Sequence, residues 1–361
     1  MKAVIFAGGV GTRLWPLSRK KSPKQFEKIL GDKSTLQICV DLLKPDFNDE
    51  DIYIGTTKDY VELVSSQLPQ IPQENIIGEP MRRDLGPAVA FWMGYLSQKF
   101  PSEPVIILWA DHLIRNRSKF KQILKAANEQ LSREPNKIVY FGHKPRFAST
   151  NLGWIETGKT LETQNGVELK EFKGFKYRPK QEVAEAYFSN DNFSWNLGTF
   201  ASTPQFLYKL FEQTNPKIFR LAEAIMQHVG QPDFADQFAK YYAQMPAIHV
   251  DNAIAEQVDL DLVYVIVDDL GWSDVGAWEA LKEALEENKE ENITRGRVHI
   301  ENSVDNLVYN YQEDKLVVGI DLQELLVVNT PDVLLVANKN SVGKIKKLVE
   351  GFEGTENEVL T

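Results

Sequence analysis

Short apolar runs, each closed by turn-forming residues, recur along the first two thirds of the chain. Residues 2–7 are apolar but for Lys2 and run into Gly8-Gly9, the pattern of a buried parallel strand feeding a loop. Residues 52–54, 105–108, 138–141 and 263–267 repeat it. Between the first four runs lie stretches of helical periodicity at 36–43, 87–99 and 120–132. Strands alternating with helices predict an α/β fold, a Rossmann-like, mostly parallel sheet with helices on both faces. The middle of the chain is less regular. Residues 154–156 and 169–175 read as added strands, and 204–229 and 234–245 as helices. A helix is expected over 275–287, beginning just past Gly276, and the charge-dense stretch 286–292 reads as a linker. Beyond it, runs at 298–300, 307–309, 316–320, 325–328 and 333–336 are separated by Asn, Asp, Gly and Pro turns. These predict a small all-β unit over 293–340, followed by a helix at 344–350. Two domains are therefore expected, 1–287 and 288–361. The short, edge-rich strands of the second point to docking or self-association, so a homo-oligomer is expected.

Composition changes this picture little. The 361 residues are 43% hydrophobic and 25% charged, enough to bury a sizeable core. A net charge of −10 argues against sequence-independent binding of nucleic acid. Against that acidic background Arg13, Arg19, Lys20, Lys21 and Lys24 crowd one short segment, which suits a small anion rather than a polyanion track. A single cysteine, Cys39, excludes a disulfide framework or a cysteine metal cage within the chain. The five histidines show no metal-ligand spacing. No apolar run approaches the roughly 18 residues that span a bilayer, and the first residues lack a small-residue cleavage pattern. A soluble, cytoplasmic protein with no membrane or nucleic-acid partner is expected.

The candidate chemistry starts in the loop after the first strand. Glycines at 8, 9 and 11 let backbone N–H groups approach an anion with no Cβ in the way. The loop is not a Walker A motif, and Leu14 stands where the third glycine of a dinucleotide fingerprint would be. On the glycines alone, phosphate binding and a plain strand–helix turn are equally good readings. Arg13, Arg19 and Lys24 then supply cations just beyond the turn, Arg as a planar fork and Lys as a mobile point charge.

The segment Phe6-Ala-Gly-Gly-Val-Gly-Thr-Arg-Leu-Trp-Pro-Leu-Ser-Arg19, with Pro23-Lys-Gln-Phe26, resembles the signature of bacterial mannose-1-phosphate guanylyltransferases, members of the sugar-nucleotide pyrophosphorylase superfamily. The resemblance continues through Glu79-Pro-Met-Arg-Arg-Asp-Leu-Gly-Pro-Ala88, Leu108-Trp-Ala-Asp-His112, Trp195-Asn-Leu-Gly-Thr-Phe200 and Gly271-Trp-Ser-Asp-Val-Gly-Ala-Trp278. The tail through Val328-Asn-Thr-Pro-Asp332 is similar to the family's short left-handed β-helix. Longer family members carry a fused isomerase domain, and no such domain is expected within these 361 residues.

The implied reaction is attack by a sugar 1-phosphate oxygen, mannose 1-phosphate first, on the α-phosphorus of GTP. Pyrophosphate leaves. The substrate brings its own nucleophile, so catalysis is in-line positioning and charge neutralisation. Two polyanions must meet, which calls for cations and a metal. Arg13 and Lys24 would serve the triphosphate. Asp111 and Asp274 both follow apolar strands, at the carboxyl ends where open α/β sheets bind ligands, and suit Mg²⁺. Read alone, each aspartate is more often a cap or turn residue; the resemblance makes both metal ligands. It also assigns Ala7, Gly8, Gly9, Gly11, Thr12, Glu79, Arg83, Asp84 and Pro87 to the nucleotide. Asp84 and Glu79 could accept from guanine N1–H and N2–H₂, although Asp84 serves equally as a cap for the helix near Pro87. Asp111, Gly153, Glu156, Arg178 and Asn196 would hold the sugar phosphate and its hydroxyls. His112 reads as structural, and Trp154, Trp195, Trp272 and Trp278 as core and pocket walls.

Three positions depart from the family pattern. Phe-x-Glu-Lys-Pro is here Phe175-Lys-Tyr-Arg-Pro179, Asn-Thr-Ala is Asp84-Leu-Gly86, and Trp109 replaces a proline beside Asp111. The triphosphate machinery is intact while the sugar side has drifted. A different acceptor, such as a heptose phosphate, is thus the nearest alternative. A non-catalytic regulatory relative would have lost metal ligands or loop cations, and a nicotinamide-dependent dehydrogenase would need the third glycine.

Overall fold

The computed structural model describes residues 1–9, 11–255 and 257–361. Val10 and Glu256 lie outside the described residues, as do the side chains of Thr12 and Ala255. Contacts divide the chain into two compact units, and neither is one stretch of sequence. The first comprises Met1–Gly8, Val40–Trp109 and Ile114–Leu270; the second Gly9–Cys39, Ala110–Leu113 and Gly271–Thr361.

The elements in chain order begin β1 (Lys2–Phe6), α1 (Thr35–Leu43), β2 (Ile52–Thr57), α2 (Val61–Gln67), β3 (Ile76–Glu79) and α3 (Leu85–Lys99). They continue β4 (Val105–Trp109), β5 (Leu113–Ile114), α4 (Arg117–Arg133), β6 (Ile138–His143), β7 (Gly153–Gln164) and β8 (Val167–Tyr177). Next come α5 (Gln181–Phe188), β9 (Phe193–Ser202), α6 (Pro204–Thr214), α7 (Pro216–Met226), α8 (Phe234–Tyr242) and β10 (Val263–Asp268). The C-terminal part adds β11 (Trp272–Ser273), α9 (Trp278–Leu285), β12 (Ile293–Arg295), β13 (Val298–Glu301) and β14 (Leu307–Asn310). It closes with β15 (Val317–Ile320), β16 (Leu325–Asn329), β17 (Leu334–Asn338) and α10 (Ile345–Glu350).

In the first unit the described residues form a nine-stranded sheet of order β3-β2-β1-β4-β9-β6-β10-β8-β7. Parallel pairing links β1 to β2 and β4, β2 to β3, and β10 to β6. Strand β9 pairs antiparallel with β4, β6 and β7, and β8 antiparallel with β10 and β7. Seven strands thus share one direction and two oppose it, the mostly parallel α/β architecture expected. Both faces of the central strands are covered, so β1 and β4 read as unbroken apolar runs. Helix α3 is buried from Gly86 to Leu96, with Trp92 and Phe91 at its centre, which is why its sequence is apolar on every side.

The middle region holds the differences. Strands β7 and β8 extend well past 154–156 and 169–175, because Asn165-Gly166, both at positive φ, turns one into the other. The expected helix 204–229 is two helices: Pro216 has no N–H to give, and Asn215 before it leaves the helical region at φ −143°, ψ 69°. Strand β9 was not expected at all, since Phe193–Ser202 mixes polar and apolar residues although most of it is buried.

In the second unit, β12, β14 and β16 stack in parallel, and β13 and β15 do the same. Each turn of chain lies on the preceding one, and β17 closes the stack antiparallel to β16. Asn310 sits at the register position of Asn329 and accepts from its amide at 2.9 Å. Leu14, Trp15, Val275 and Trp278 share one core with Leu307, Tyr309, Leu326 and Ile345. Trp278 donates to Trp15 O at 3.0 Å, and Arg19 makes a bidentate pair with Asp332 at 2.6 and 2.7 Å. Arg19 is thereby committed to the fold. Helix α9 starts at Trp278, later than expected, because Val275 is at φ +39° and Ala277 is extended. Among the described residues no helix is long and apolar enough to cross a membrane.

Candidate active site

The second unit brings together residues far apart in sequence. Gly11 is at φ +66°, and a Cβ there would lie 2.6 Å from Lys24 Cγ and 2.7 Å from Cδ. Only glycine lets the Lys24 stem run this close to the loop. Pro23 leads into a short 3₁₀ turn, Lys24–Phe26, that buries the stem. The ammonium emerges 2.7 Å from Asp111 Oδ2 and 3.5 Å from the Asp274 carbonyl. Gln25 donates to Gly9 O at 2.9 Å, tying the two ends of the loop. Asp274 follows β11, and its Oδ1 accepts from Gly276 N at 3.3 Å. A Cβ on Gly276 would stand 2.9 Å from Asp274 Oδ2 and 3.1 Å from Arg13 Nη2, so this guanidinium and this carboxylate crowd one point.

Two cations and two carboxylates therefore share one cluster. Burial alone would raise the Asp111 carboxyl, but the Lys24 ammonium prevails and holds it below the usual range. Burial pushes His112 down against the pull of Asp111 and Asp274, leaving it neutral near pH 7, and its ring meets Trp272 edge-on at 5.3 Å. Burial, then the Asp111 charge, drives the Cys39 thiol up to about 12, which removes it as a nucleophile. Among the described residues no set of three or more His, Cys, Asp or Glu side chains is arranged to hold a metal. Any ion here would take two carboxylates from the protein and the rest from water or ligand.

In the first unit, Ala7 is sealed between Gly55 O and Thr56 Oγ1. The loop after β3 leads to α3. Glu79 is buried and accepts from Tyr242 Oη at 2.5 Å, and burial pushes its carboxyl up to about 7. Arg83 donates to Ala243 O at 2.5 Å. Asp84, at φ +63°, accepts from Leu85 N at 2.8 Å and is the N-cap of α3, the capping alternative for that residue. Pro87 falls in the first turn, where a missing N–H costs no intrahelical bond. The remaining candidates lie on three adjoining strands of the same unit. Gly153 pairs in register with Tyr177, and a Cβ on it would lie 3.4 Å from Tyr177 Cε1 and 3.5 Å from Asn196 Cβ. Glu156 on β7 is 3.3 Å from Lys176 Nζ. Asn196 Oδ1 accepts from Gly198 N at 2.8 Å, and Arg178 is exposed just past β8 at φ +39°. At Gly198, φ +69°, a Cβ would strike the Trp109 indole at 2.9 Å.

A polar loop with lysine over glycine, an aspartate pair and a three-strand polar patch point to nucleotidyl transfer, and comparison with known proteins decides it. The family model for nucleotidyl transferases matches residues 2–291. The mannose-1-phosphate guanylyltransferase of Escherichia coli (strain K12) is 33% identical over 96% of this chain and 72% of its own length. Mannose-1-phosphate guanylyltransferase 2 of Escherichia coli O157:H7 is 32% identical over 96% and 72%. The chain belongs to the mannose-1-phosphate guanylyltransferase family of nucleotidyl transferases. A crystal structure described as a mannose-1-phosphate geranyltransferase from Thermus thermophilus superposes with a TM-score of 0.85 at 26% identity, covering 98% of this chain and 99% of that one.

For a guanylyltransferase-family chain, the expected residues fall into separate groups. Gly9, Gly11, Arg13, Lys24, Asp111 and Asp274 belong to the second unit. Ala7, Gly8, Glu79, Arg83, Asp84, Pro87, Gly153, Glu156, Arg178 and Asn196 belong to the first. The side chain of Thr12 lies outside the described residues. Trp154, Trp195, Trp272 and Trp278 are buried, as expected. Two residues escaped sequence reasoning. Tyr242 on α8 faces Glu79, and Asp251, 3% exposed, accepts from the Tyr177 hydroxyl. Neither lies in a segment with a motif, and no periodicity marks them.

Proposed function

We propose that the chain transfers GMP from GTP to mannose 1-phosphate, giving GDP-mannose and pyrophosphate. The observation that carries this reading is the Lys24–Asp111 pair over Gly11, with Asp274 and Arg13 in the same cluster, in a chain of this family. The sugar phosphate oxygen attacks the α-phosphorus in line with the departing pyrophosphate, and no protein nucleophile is used. Ala7, with its backbone tied to β2, anchors the start of the loop, and Gly8, Gly9, Gly11 and Thr12 serve the triphosphate. Lys24 and Arg13 neutralise its charge and that of the leaving group.

The donor set fits Mg²⁺. Two carboxylates are hard oxygen ligands, and an amine at 2.7 Å already marks the Asp111 carboxylate as a cation position. Asp111 and Asp274 would hold the ion. When bound, it supplies charge neutralisation and polarisation at phosphate oxygens. Glu79, Arg83, Asp84 and Pro87 shape the guanine side, where the Asp84 carboxylate keeps its second oxygen for N1–H and N2–H₂. Gly153, Glu156 and Asn196 take hexose hydroxyls, and Arg178 serves the sugar phosphate.

Residues 1–287 carry this chemistry, and the match to residues 2–291 supports that division. The parallel-stacked strands of 288–361 support a left-handed β-helix whose open edges serve self-association. Both substrates are small soluble metabolites, which supports a reaction in the cytoplasm. The test is a panel of nucleoside triphosphates against sugar 1-phosphates with Mg²⁺, read as pyrophosphate release. GTP with mannose 1-phosphate should give the highest kcat/KM. Preference for another sugar, such as a heptose phosphate, would replace the acceptor and keep the transfer; an inert protein would overturn the catalytic reading.

A further inference from the structure

The sugar-side patch of the first unit carries a polar pair that none of the roles above uses. Tyr177, the last residue of β8, is 44% exposed, and its ring edge stands 3.4 Å from where a Gly153 Cβ would be. Asn196 borders the same point at 3.5 Å. The phenol does not end in solvent alone: it donates to Oδ2 of Asp251, a carboxylate only 3% exposed. The segment bearing Asp251 is pinned on several sides. Ile248 O accepts from Gly86 N at 2.9 Å, Ala253 N donates to His249 O at 2.9 Å, and Asn215 holds Ala253 O at 2.8 Å. Asp251 N donates to His249 Nδ1 at 3.3 Å. The carboxylate is held in place before any ligand arrives.

We propose that Tyr177 and Asp251 form a hydroxyl-reading pair that sets acceptor specificity: Asp251 commits the phenol proton, and Tyr177 Oη then accepts a hydrogen bond from one hydroxyl of the sugar. A tyrosine hydroxyl is one donor and two acceptor sites. With its proton spent on a buried carboxylate, it presents acceptor character outward, and the chain of bonds polarises in that sense. With no Cβ on Gly153, the phenol edge and the Asn196 side chain close on one point, and Asn196 supplies a second polar edge there. An acceptor lacking the matched hydroxyl leaves Tyr177 Oη facing an apolar carbon. The inference rests on the sugar-phosphate reading of this patch.

The experiment compares wild type, Tyr177→Phe and Asp251→Asn with mannose 1-phosphate and its four monodeoxy analogues at saturating GTP and Mg²⁺. Wild type should lose about tenfold in kcat/KM on one analogue, the scale of a hydrogen bond lost at a specific site. Tyr177→Phe should lose a similar factor on mannose 1-phosphate, keep its KM for GTP, and no longer distinguish that analogue from the parent sugar. Asp251→Asn should show the same loss of discrimination in weaker form; should it fail to fold by thermal melting, Tyr177→Phe alone decides. An unchanged analogue pattern in folded Tyr177→Phe overturns the pair. A wild type that turns over no sugar 1-phosphate overturns the transferase reading itself, and the two failures are thereby distinguished.

Discussion

The Lys24–Asp111 contact is the most informative pair of side chains in the molecule. Lys24 is nearly buried and Asp111 is one-third exposed, so the carboxylate can exchange its partner while the lysine stem stays fixed. Asp111→Asn should lower kcat by about a thousandfold or more, as removing a metal-held charge at phosphoryl transfer does. Its circular dichroism and melting should remain those of a folded protein; near-normal turnover would remove the metal role. Glu79 makes a second prediction. Burial lifts its carboxyl from an ordinary 4.5 to about 7, so the folded state holds a proton that the unfolded state has already released. That contribution is full below pH 4.5 and is lost as pH rises through 7, amounting to about 3 kcal/mol over the window. Wild type should therefore lose melting temperature relative to Glu79→Gln between pH 5 and pH 8, and parallel curves would contradict the shift. Lys24, Asp111 and Asp274 were legible because each sits in a long motif. Asp251 was not, because it and Tyr177 stand 74 positions apart in the chain and meet only in the fold.

At the scale of elements, what could be read from sequence followed burial. Strands β1, β2, β4, β6 and β10 are covered on both faces and announce themselves as apolar runs. Strand β9 contains Asn196 and Gly198, whose polar and left-handed positions interrupt the apolar signal of a strand that is otherwise buried. The stacked turns at the C-terminus were readable as short strands from their spacing, while their parallel stacking was implied only by the family resemblance. It depends on asparagines that join successive turns. Asn310, 4% exposed, donates to Arg297 O at 2.9 Å and Lys315 O at 2.7 Å and accepts from Asn329 and Gln312. Asn310→Leu removes four part-buried hydrogen bonds at once, each worth about 1 kcal/mol. It should lower the melting temperature by several degrees without altering the KM for GTP; an unchanged melting curve would show that the ladder is dispensable.

For the whole molecule, chain order and spatial grouping differ. The loop 9–39, the four residues 110–113 and the C-terminal stretch from Gly271 form one unit, while Met1–Gly8, Val40–Trp109 and Ile114–Leu270 form the unit that holds the large sheet. A linear reading divides the chain at 287/288, because linker composition is visible and long-range packing is not. The same arrangement explains why Arg19, read as one more loop cation, is instead bound to Asp332, 313 residues away. In the proposed reaction a sugar phosphate oxygen, with Asp111, Asp274, Lys24 and Arg13 managing the charge, displaces pyrophosphate from GTP. The most direct measurement is phosphorus NMR of the purified chain with GTP, Mg²⁺ and mannose 1-phosphate carrying ¹⁸O in its phosphate. From that reaction GDP-mannose is expected with the isotope confined to the phosphate derived from mannose 1-phosphate, its bridge to the GMP phosphorus included, with unlabelled pyrophosphate in equal amount. Labelled pyrophosphate, or GTP breakdown without GDP-mannose, would contradict it.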